Sequence, residues 1–192
     1  MDGQNELFTL CKKIGGTYMA YELRPYQKEC KDILDKTPTG NHLVVMATGL
    51  GKTVVMTHLK RNGRVLLLSH RDELVRQPEK YFDCSFGIEK AEEHAGDEEV
   101  VSASVQSLSR PDRMKRFAPD AFDTIIIDEA HHSAAKSYRA SGLLSGAKRR
   151  IGFTATPQRR DNVRLTDVFD DIIFNRDLRM GNPEQLPVPY PL

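Results

Sequence analysis

The stretch Leu43-Val44-Val45-Met46-Ala47-Thr48-Gly49-Leu50-Gly51-Lys52-Thr53 constrains the fold of this chain more than any other. An apolar, strand-forming run enters a loop with two glycines. The loop then opens into an amphipathic segment, Val54-Val55-Met56-Thr57-His58-Leu59. Strand, glycine loop and helix in that order make a unit suited to a phosphate group. The glycines let backbone N–H groups turn inward, and the start of the helix favours negative charge. Lys52 adds a point charge suited to β- and γ-phosphates, and Thr53 a hydroxyl suited to Mg²⁺. The full pattern G-x-x-x-x-G-K-[ST] asks for glycine at position 46, where this chain carries Met46, so the loop is a variant.

The alternation continues along the chain. Val65–Ser69, Val100–Ser104, Thr124–Asp128 and Arg150–Thr154 join Leu43–Met46 as short runs rich in Val, Ile or Leu. Such runs suit parallel strands buried on both faces. Helices are expected between them: Tyr26–Leu34, then Lys52–Arg61 ended by Asn62-Gly63, then a segment capped by Asp72 and reaching Gln77 before Pro78. A further helix is expected from Ser133 to about Leu144. Alternating strands and helices predict an α/β fold in three layers around a mostly parallel central sheet. A chain of 192 residues suits one such domain, expected over residues 21–179. Residues 1–20 read as an N-terminal extension with a short helix, Glu6–Lys13, stopped by Gly15-Gly16. Residues 180–192 carry Gly181, Pro183, Pro187, Pro189 and Pro191 and read as an extended linker with no domain after it.

Composition narrows the setting. The chain is 39% hydrophobic and 29% charged, and no apolar run approaches the length of a membrane span, so no membrane partner is expected. Residues Met1 to Leu10 lack the apolar core of a signal peptide. Cys11, Cys30 and Cys84 are scattered and form no C-x-x-C, so neither a zinc site nor a disulfide framework is indicated. These features predict an intracellular location, cytoplasmic or in the nucleoid or nucleus. A net charge of +1 does not by itself mark a nucleic-acid binder. The charges are grouped, however. Residues Glu89 to Glu99 are acidic, Arg110, Arg113, Lys115 and Arg116 are basic, and Lys148, Arg149, Arg150, Arg159, Arg160 and Arg164 form a second basic group. Charge runs are ordinarily solvated faces. The second basic group brackets a motif and stands evenly between such a face and a nucleic-acid surface.

Two further motifs follow the glycine loop. In Ile125-Ile126-Ile127-Asp128-Glu129-Ala130-His131-His132, an apolar strand delivers two carboxylates at its C-terminal end, where open α/β sheets bind ligands. Asp128 is suited to hold Mg²⁺ through a water, and Glu129 to orient or deprotonate a water that attacks the γ-phosphate. In Gly152-Phe153-Thr154-Ala155-Thr156-Pro157, a strand ends in two hydroxyl residues and is halted by proline.

These three motifs, in this order, resemble the first RecA-like domain of superfamily 2 helicases, in the DEAD/DEAH-like branch that includes type III restriction-enzyme helicase subunits. The resemblance runs from about Leu23 to Leu178. Ala47–Thr53 is similar to motif I, whose Ala-Thr-Gly start accounts for Met46. Asp128-Glu129-Ala130-His131 is similar to motif II, and Thr154-Ala155-Thr156 to motif III. Leu23-Arg24-Pro25-Tyr26-Gln27 resembles the Q motif, whose Gln reads adenine through a donor and an acceptor. The resemblance implies a RecA-like P-loop NTPase fold with ATP and Mg²⁺ as cofactors. It implies nucleotide contacts from Arg24, Gln27, Thr48, Gly49, Leu50, Gly51, Lys52, Thr53 and His131, and metal binding by Thr53 and Asp128. Lys52, Asp128 and Glu129 would carry the phosphate chemistry, and Thr154 and Thr156 would relay nucleotide state. Leu68–Leu74 resembles motif Ia and Ser104–Leu108 motif Ib, which implies nucleic-acid backbone contacts from Arg71, Gln106 and Ser107. Duplex DNA is favoured over RNA as the track.

No segment resembles the family's second RecA-like domain or its arginine finger. Arg159 and Arg160 read as surface charge near a DNA groove. An arginine finger supplied from outside is worth on the order of 10³–10⁵ in rate. The expectation is therefore a domain that binds ATP, hydrolyses it slowly alone, and is completed by a second RecA-like domain in cis or in trans. Two other classes fit part of the chain. One is a non-catalytic nucleotide- or nucleic-acid-binding module that regulates a helicase or DNA-processing partner. The other, a P-loop small-molecule kinase, leaves Asp-Glu-Ala-His and Thr-Ala-Thr unexplained.

Overall fold

The computed structural model describes residues 10–14, 17–132, 146–155, 165 and 169–176. In chain order, β1 (Leu10–Ile14) and β2 (Thr17–Tyr21) precede α1 (Pro25–Asp35), β3 (Gly40–Met46), α2 (Lys52–His58) and β4 (Val65–Ser69). Then come β5 (Phe86–Glu89), β6 (Val100–Ser104), α3 (Val105–Leu108), α4 (Pro111–Met114), β7 (Thr124–Ile127), β8 (Arg149–Thr154) and β9 (Asp171–Arg176). Seven strands form one sheet in the order β5-β6-β4-β7-β8-β3-β9, and every pairing is parallel.

Parallel strands need cover on both faces, and alternation along each strand provides for it. Leu43 and Val45 point to one core and Val44 and Met46 to the other; Leu66 and Leu68 oppose Val65 and Leu67 in the same way. Cys30 and Leu34 of α1, with Val55 and Met56 of α2, cover the face of Val44 and Met46. Val105, Leu108, Phe117, Phe122 and Phe169 cover the other. This is the expected three-layer α/β fold. Gly152 lies against the Phe169 ring, where an added Cβ would collide.

Several local expectations are corrected. Of the helix expected over Glu6–Lys13, the described residues from Leu10 onward are strand: β1 pairs antiparallel with β2. Gly15-Gly16 lies between the two strands in sequence, and Gly-Gly is a hairpin dipeptide as well as a helix stop. The helix expected from Asp72 to Gln77 is a 3₁₀ turn, Asp72–Leu74. The hydroxyls of Ser69 and Ser102 donate to the carbonyls of Arg71 and Val75 at 3.1 and 2.7 Å, competing with a continuing helix, and Pro78 removes an N–H. Helix α2 stops at His58, ahead of Asn62-Gly63. Gly63, at φ +93°, instead makes room for the Asp123 carboxylate. Strands β5 and β9 are the two edges of the sheet among the described residues, and both are of mixed polarity, with Ile172-Ile173-Phe174 of β9 flanked by Asp171 and Asn175. The helix expected from Ser133 lies outside the described residues.

The charge groups are also corrected. The acidic run and the first basic group are not two independent solvated faces. Glu89 is fully buried, and its carboxylate accepts from Arg113 Nη1 at 2.5 Å and from the Ala95 N–H at 2.9 Å. Arg116 Nη1 approaches the same carboxylate at 3.5 Å. In the second basic group, Lys148 binds Asp123 at 2.8 Å, buried Arg149 donates to the Leu34 carbonyl, and Arg150 donates to Asn41 Oδ1 at 2.7 Å. All three stand at the N-terminal end of β8, the wrong end of the sheet for a ligand site. Arg159, Arg160 and Arg164 lie outside the described residues.

Candidate functional site

Topology assembles the site. Strands β7 and β8 lie between β4 and β3, so the C-terminal ends of β3, β8 and β7 are neighbours. Those ends carry the glycine loop, Thr154 and Asp128-Glu129 respectively. Gly49 and Gly51 adopt φ +85° and +80°, the left-handed region that glycine enters without penalty. At Gly51 an added Cβ would also stand 2.5 Å from Gln27 Nε2. Met46, the last residue of β3, is fully buried in the core. Position 46 thus serves packing, and the missing first glycine leaves the turn at 49–51 intact.

Lys52 and Glu129, 77 residues apart, meet with Nζ donating to Oε1 at 2.9 Å. The other carboxylate oxygen of Glu129 lies 3.2 Å from His131 Nδ1, which in turn lies 2.9 Å from Thr154 Oγ1. Thr154 is fully buried. One connected group therefore spans the ends of β3, β7 and β8. Glu129 itself sits at φ +51°, a left-handed conformation that costs a side-chain-bearing residue on the order of 1–3 kcal/mol and collects at functional sites. Asp128 precedes it, with its N–H donating to the Leu68 carbonyl at 2.8 Å and its Oδ1 accepting from the Glu129 N–H at 3.0 Å. Burial, and then the neighbouring Glu129 charge, raise the Asp128 carboxyl above its ordinary range. Lys52 and Arg71 act in the opposite direction. A carboxyl short of positive charge is what an added cation would relieve.

Gln27 is almost fully buried, and both ends of its amide are bonded within the chain. Oε1 accepts from the Arg24 N–H at 3.0 Å, capping α1, and Nε2 donates to the Leu50 carbonyl at 2.9 Å. Tyr26 Oη reaches the same carbonyl at 3.1 Å and accepts from Arg24 Nη1 at 3.2 Å. The Arg176 guanidinium lies over the Tyr26 ring at 5.7 Å, and the Arg176 carbonyl accepts from the Ala47 N–H at 3.2 Å. Sequence reasoning missed Tyr26 and Arg176 beside the loop. Tyr26 could have been found from its place between Pro25 and Gln27; Arg176 had no signal, because β9 was not recognised. Thr48 and Gly49 are exposed and Thr53 is half-buried. Thr156 lies outside the described residues.

Arg71, Gln106 and Ser107 stand apart from this group, on the segments after β4 and β6. Arg71 is exposed. Gln106 Nε2 donates to the His70 carbonyl at 3.0 Å, and Ser107 N–H donates to Ser104 Oγ at 3.1 Å, capping α3. No cluster of three or more His, Cys, Asp or Glu that could hold a metal exists among the described residues. One carboxylate and one hydroxyl, Asp128 and Thr53, fit a Mg²⁺ that takes its remaining ligands from water and phosphate. No helix among the described residues is long and apolar enough to cross a membrane.

Comparison with known proteins agrees with this geometry. Residues 20–159 match the family model "Type III restriction enzyme, res subunit". A Saccharomyces cerevisiae protein named an ATP-dependent helicase, IRC3, is 35% identical over a region covering 87% of this chain and 28% of its own length. The Escherichia coli type I restriction enzyme EcoAI endonuclease subunit is 32% identical, with 77% of this chain and 20% of that protein covered. The chain thus spans less than a third of the length of these relatives. Among solved structures, the Sulfolobus solfataricus SWI2/SNF2 ATPase core in complex with dsDNA superposes with a TM-score of 0.58 at 22% identity, over 78% of this chain and 33% of that one. That likeness carries the fold. The domain built on the seven-stranded parallel sheet has the RecA-like fold of its helicase neighbours, and the chain belongs to the family of the type III restriction enzyme res subunit.

Proposed function

We propose that this domain binds ATP with Mg²⁺ and hydrolyses it to ADP and phosphate when a second RecA-like domain completes the site. The observation that carries this reading is the Lys52–Glu129 contact at 2.9 Å, which joins the glycine loop to the strand-end carboxylates. In this reading Lys52 exchanges Glu129 for the β- and γ-phosphates, while the backbone of Thr48 to Thr53 follows the phosphate chain. The exchange frees a Glu129 oxygen to take the proton of the attacking water as the bond from the γ-phosphorus to the leaving oxygen breaks. Asp128 and Thr53 would hold Mg²⁺, which supplies positive charge to the phosphates. His131 and Thr154 would report the state of Glu129 to β8, with Thr156 beyond it. Gln27 keeps a second Nε2 proton and a second Oε1 lone pair to offer adenine, beside Arg24 and Tyr26.

Nucleic acid is the proposed track, along Arg71 and the segment at Gln106 and Ser107, with duplex DNA favoured over RNA. A Sulfurisphaera tokodaii relative, 28% identical over 73% of this chain and 32% of its own length, is named a DNA 3'-5' translocase, XPB2, which supports DNA. Residues 1–20 and 180–192 are assigned as extension and linker on composition, and an intracellular location follows from the same reading.

Titration of the chain with Mg²⁺·ATP tests the first claim. Binding is expected, and is expected to vanish in Lys52→Ala. Hydrolysis should stay near background until a second RecA-like domain and duplex DNA are added. Binding that survives Lys52→Ala would remove the basis for the reading. Duplex binding should be weak, independent of sequence and steeply dependent on salt.

A further inference from the structure

Gln106 was expected to face nucleic acid, yet its amide nitrogen is engaged elsewhere. Nε2 donates to the His70 carbonyl at 3.0 Å, across 36 residues of chain. That bond lands on the segment that ends in Arg71. Two more bonds hold the same segment: Ser69 Oγ donates to the Arg71 carbonyl at 3.1 Å, and the Leu74 N–H donates to it at 3.0 Å. Both of those are local. The bond from Gln106 ties the segment to another part of the sheet.

The anchor at the other end is firm. Ser104 Oγ caps α3 through the Ser107 N–H at 3.1 Å and donates to Ser107 Oγ at 2.9 Å. Ser107 Oγ also accepts from the Ala91 N–H at 3.3 Å, in the loop held by the buried Glu89–Arg113 pair. Gln106 therefore projects from a braced turn. Arg71, at the far end, is exposed, and its charge is felt at Asp128 in the nucleotide site.

We propose that Gln106 is a positioning residue: it touches no phosphate itself and aims Arg71, the nucleic-acid contact, by holding the His70 carbonyl. The proposal rests on the reading of this surface as a nucleic-acid track. It assigns the cationic contact of this segment to Arg71. A neutral side chain that acts through a cation leaves a signature that a direct contact does not. Removing it should lower the salt dependence of binding although no charge has been removed.

The test uses the 192-residue chain and a fluorescein-labelled duplex DNA, with anisotropy read across a salt series. Arg71→Ala should weaken binding several-fold and reduce the slope of log K against log salt by about 1. Gln106→Ala should weaken binding and also reduce that slope. The double variant should bind no more weakly than Arg71→Ala, within about twofold. Gln106→Glu, of the same shape but without the donor, should lose at least as much as Gln106→Ala. A Gln106→Ala that binds less but keeps the full salt slope, or losses that multiply in the double variant, would overturn the positioning role and leave the track intact. An unaltered chain with no salt-dependent duplex binding would overturn the track and this proposal together.

Discussion

Two of the carboxylate–cation pairs among the described residues, Glu89–Arg113 and Glu129–Lys52, are built in opposite ways. Glu89 and Arg113 are fully buried and nearly so, and Glu89 has partners on both oxygens: Arg113 on one, the Ala95 N–H and Arg116 on the other. Glu129 and Lys52 form a single 2.9 Å contact, with 20% of the Glu129 side chain open to solvent and its backbone in the left-handed region. Neither member of the first pair can change partner without leaving a bare charge in the interior. In the second, Lys52 can be taken over by an anion from solvent, and the geometry at Glu129 is held by its surroundings against a local preference. The first pair is enclosed in the interior, whereas the second stands at strand ends with a fifth of the Glu129 side chain open to solvent and His131 on its other oxygen at 3.2 Å, within reach of a ligand.

Substitutions can break this contrast. The largest expected effect is Glu129→Gln, which should lower nucleic-acid-stimulated hydrolysis by about 10²–10⁴-fold in the domain completed by its partner. Its thermal midpoint should hardly move, because an amide oxygen still accepts from Lys52. The mirror experiment is Glu89→Ala. It strands Arg113 without its anion and should destabilise folding by about 3–5 kcal/mol, measured by urea denaturation. If Glu89→Ala is as stable as the parent, the buried pair is not the scaffold described here.

Two smaller effects sharpen the nucleotide side. Gly51→Ala must place a side chain at φ +80° and against Gln27 Nε2, a cost of about 1–2 kcal/mol in the loop. Calorimetry should show weaker Mg²⁺·ATP binding together with a lower midpoint. The smallest effect concerns Asp128. Its carboxyl is raised above 3.8 by burial and then by Glu129, so the folded chain holds that proton more tightly than the unfolded chain does. The resulting stabilisation is complete below pH 3.8 and is lost as pH rises through the folded value. Near neutral pH the ionised Asp128 is a burden on the ligand-free fold. Asp128→Asn should therefore raise the midpoint at neutral pH, and the gain should shrink as the pH is lowered. A midpoint that falls near neutral pH would contradict this.

The parts legible in the sequence are those in which chemistry and spacing are local. Lys52 and Thr53 follow two glycines directly, and Asp128-Glu129 follows three isoleucines, so residue type and strand end are read together. Five buried strands announced themselves through continuous apolar runs. The edge strand β5 did not, because an edge has one hydrogen-bonded neighbour and tolerates mixed polarity, and β9 offered only Ile172-Ile173-Phe174 between polar neighbours. The hairpin at β1 and β2 was hidden by a Gly-Gly that two structures can use. Arg113 read as surface charge because its partner, Glu89, lies 24 residues away in a run that looked solvated. The bond from Gln106 to the His70 carbonyl had no signal either, because a side-chain bond between two distant turns leaves no mark in composition.

By itself, the sequence determined the α/β class, the glycine loop between strand and helix and the identities of the groups that meet there. Short-range rules govern these: a glycine at positive φ, a buried strand of branched side chains, a carboxylate where a strand stops. The tertiary structure decided which groups touch. Placing β7 and β8 between β4 and β3 puts Glu129 against Lys52 and His131 against Thr154. Folding also decided which charges are scaffold and which are open to a ligand, because burial and partner count depend on strands far apart in the chain.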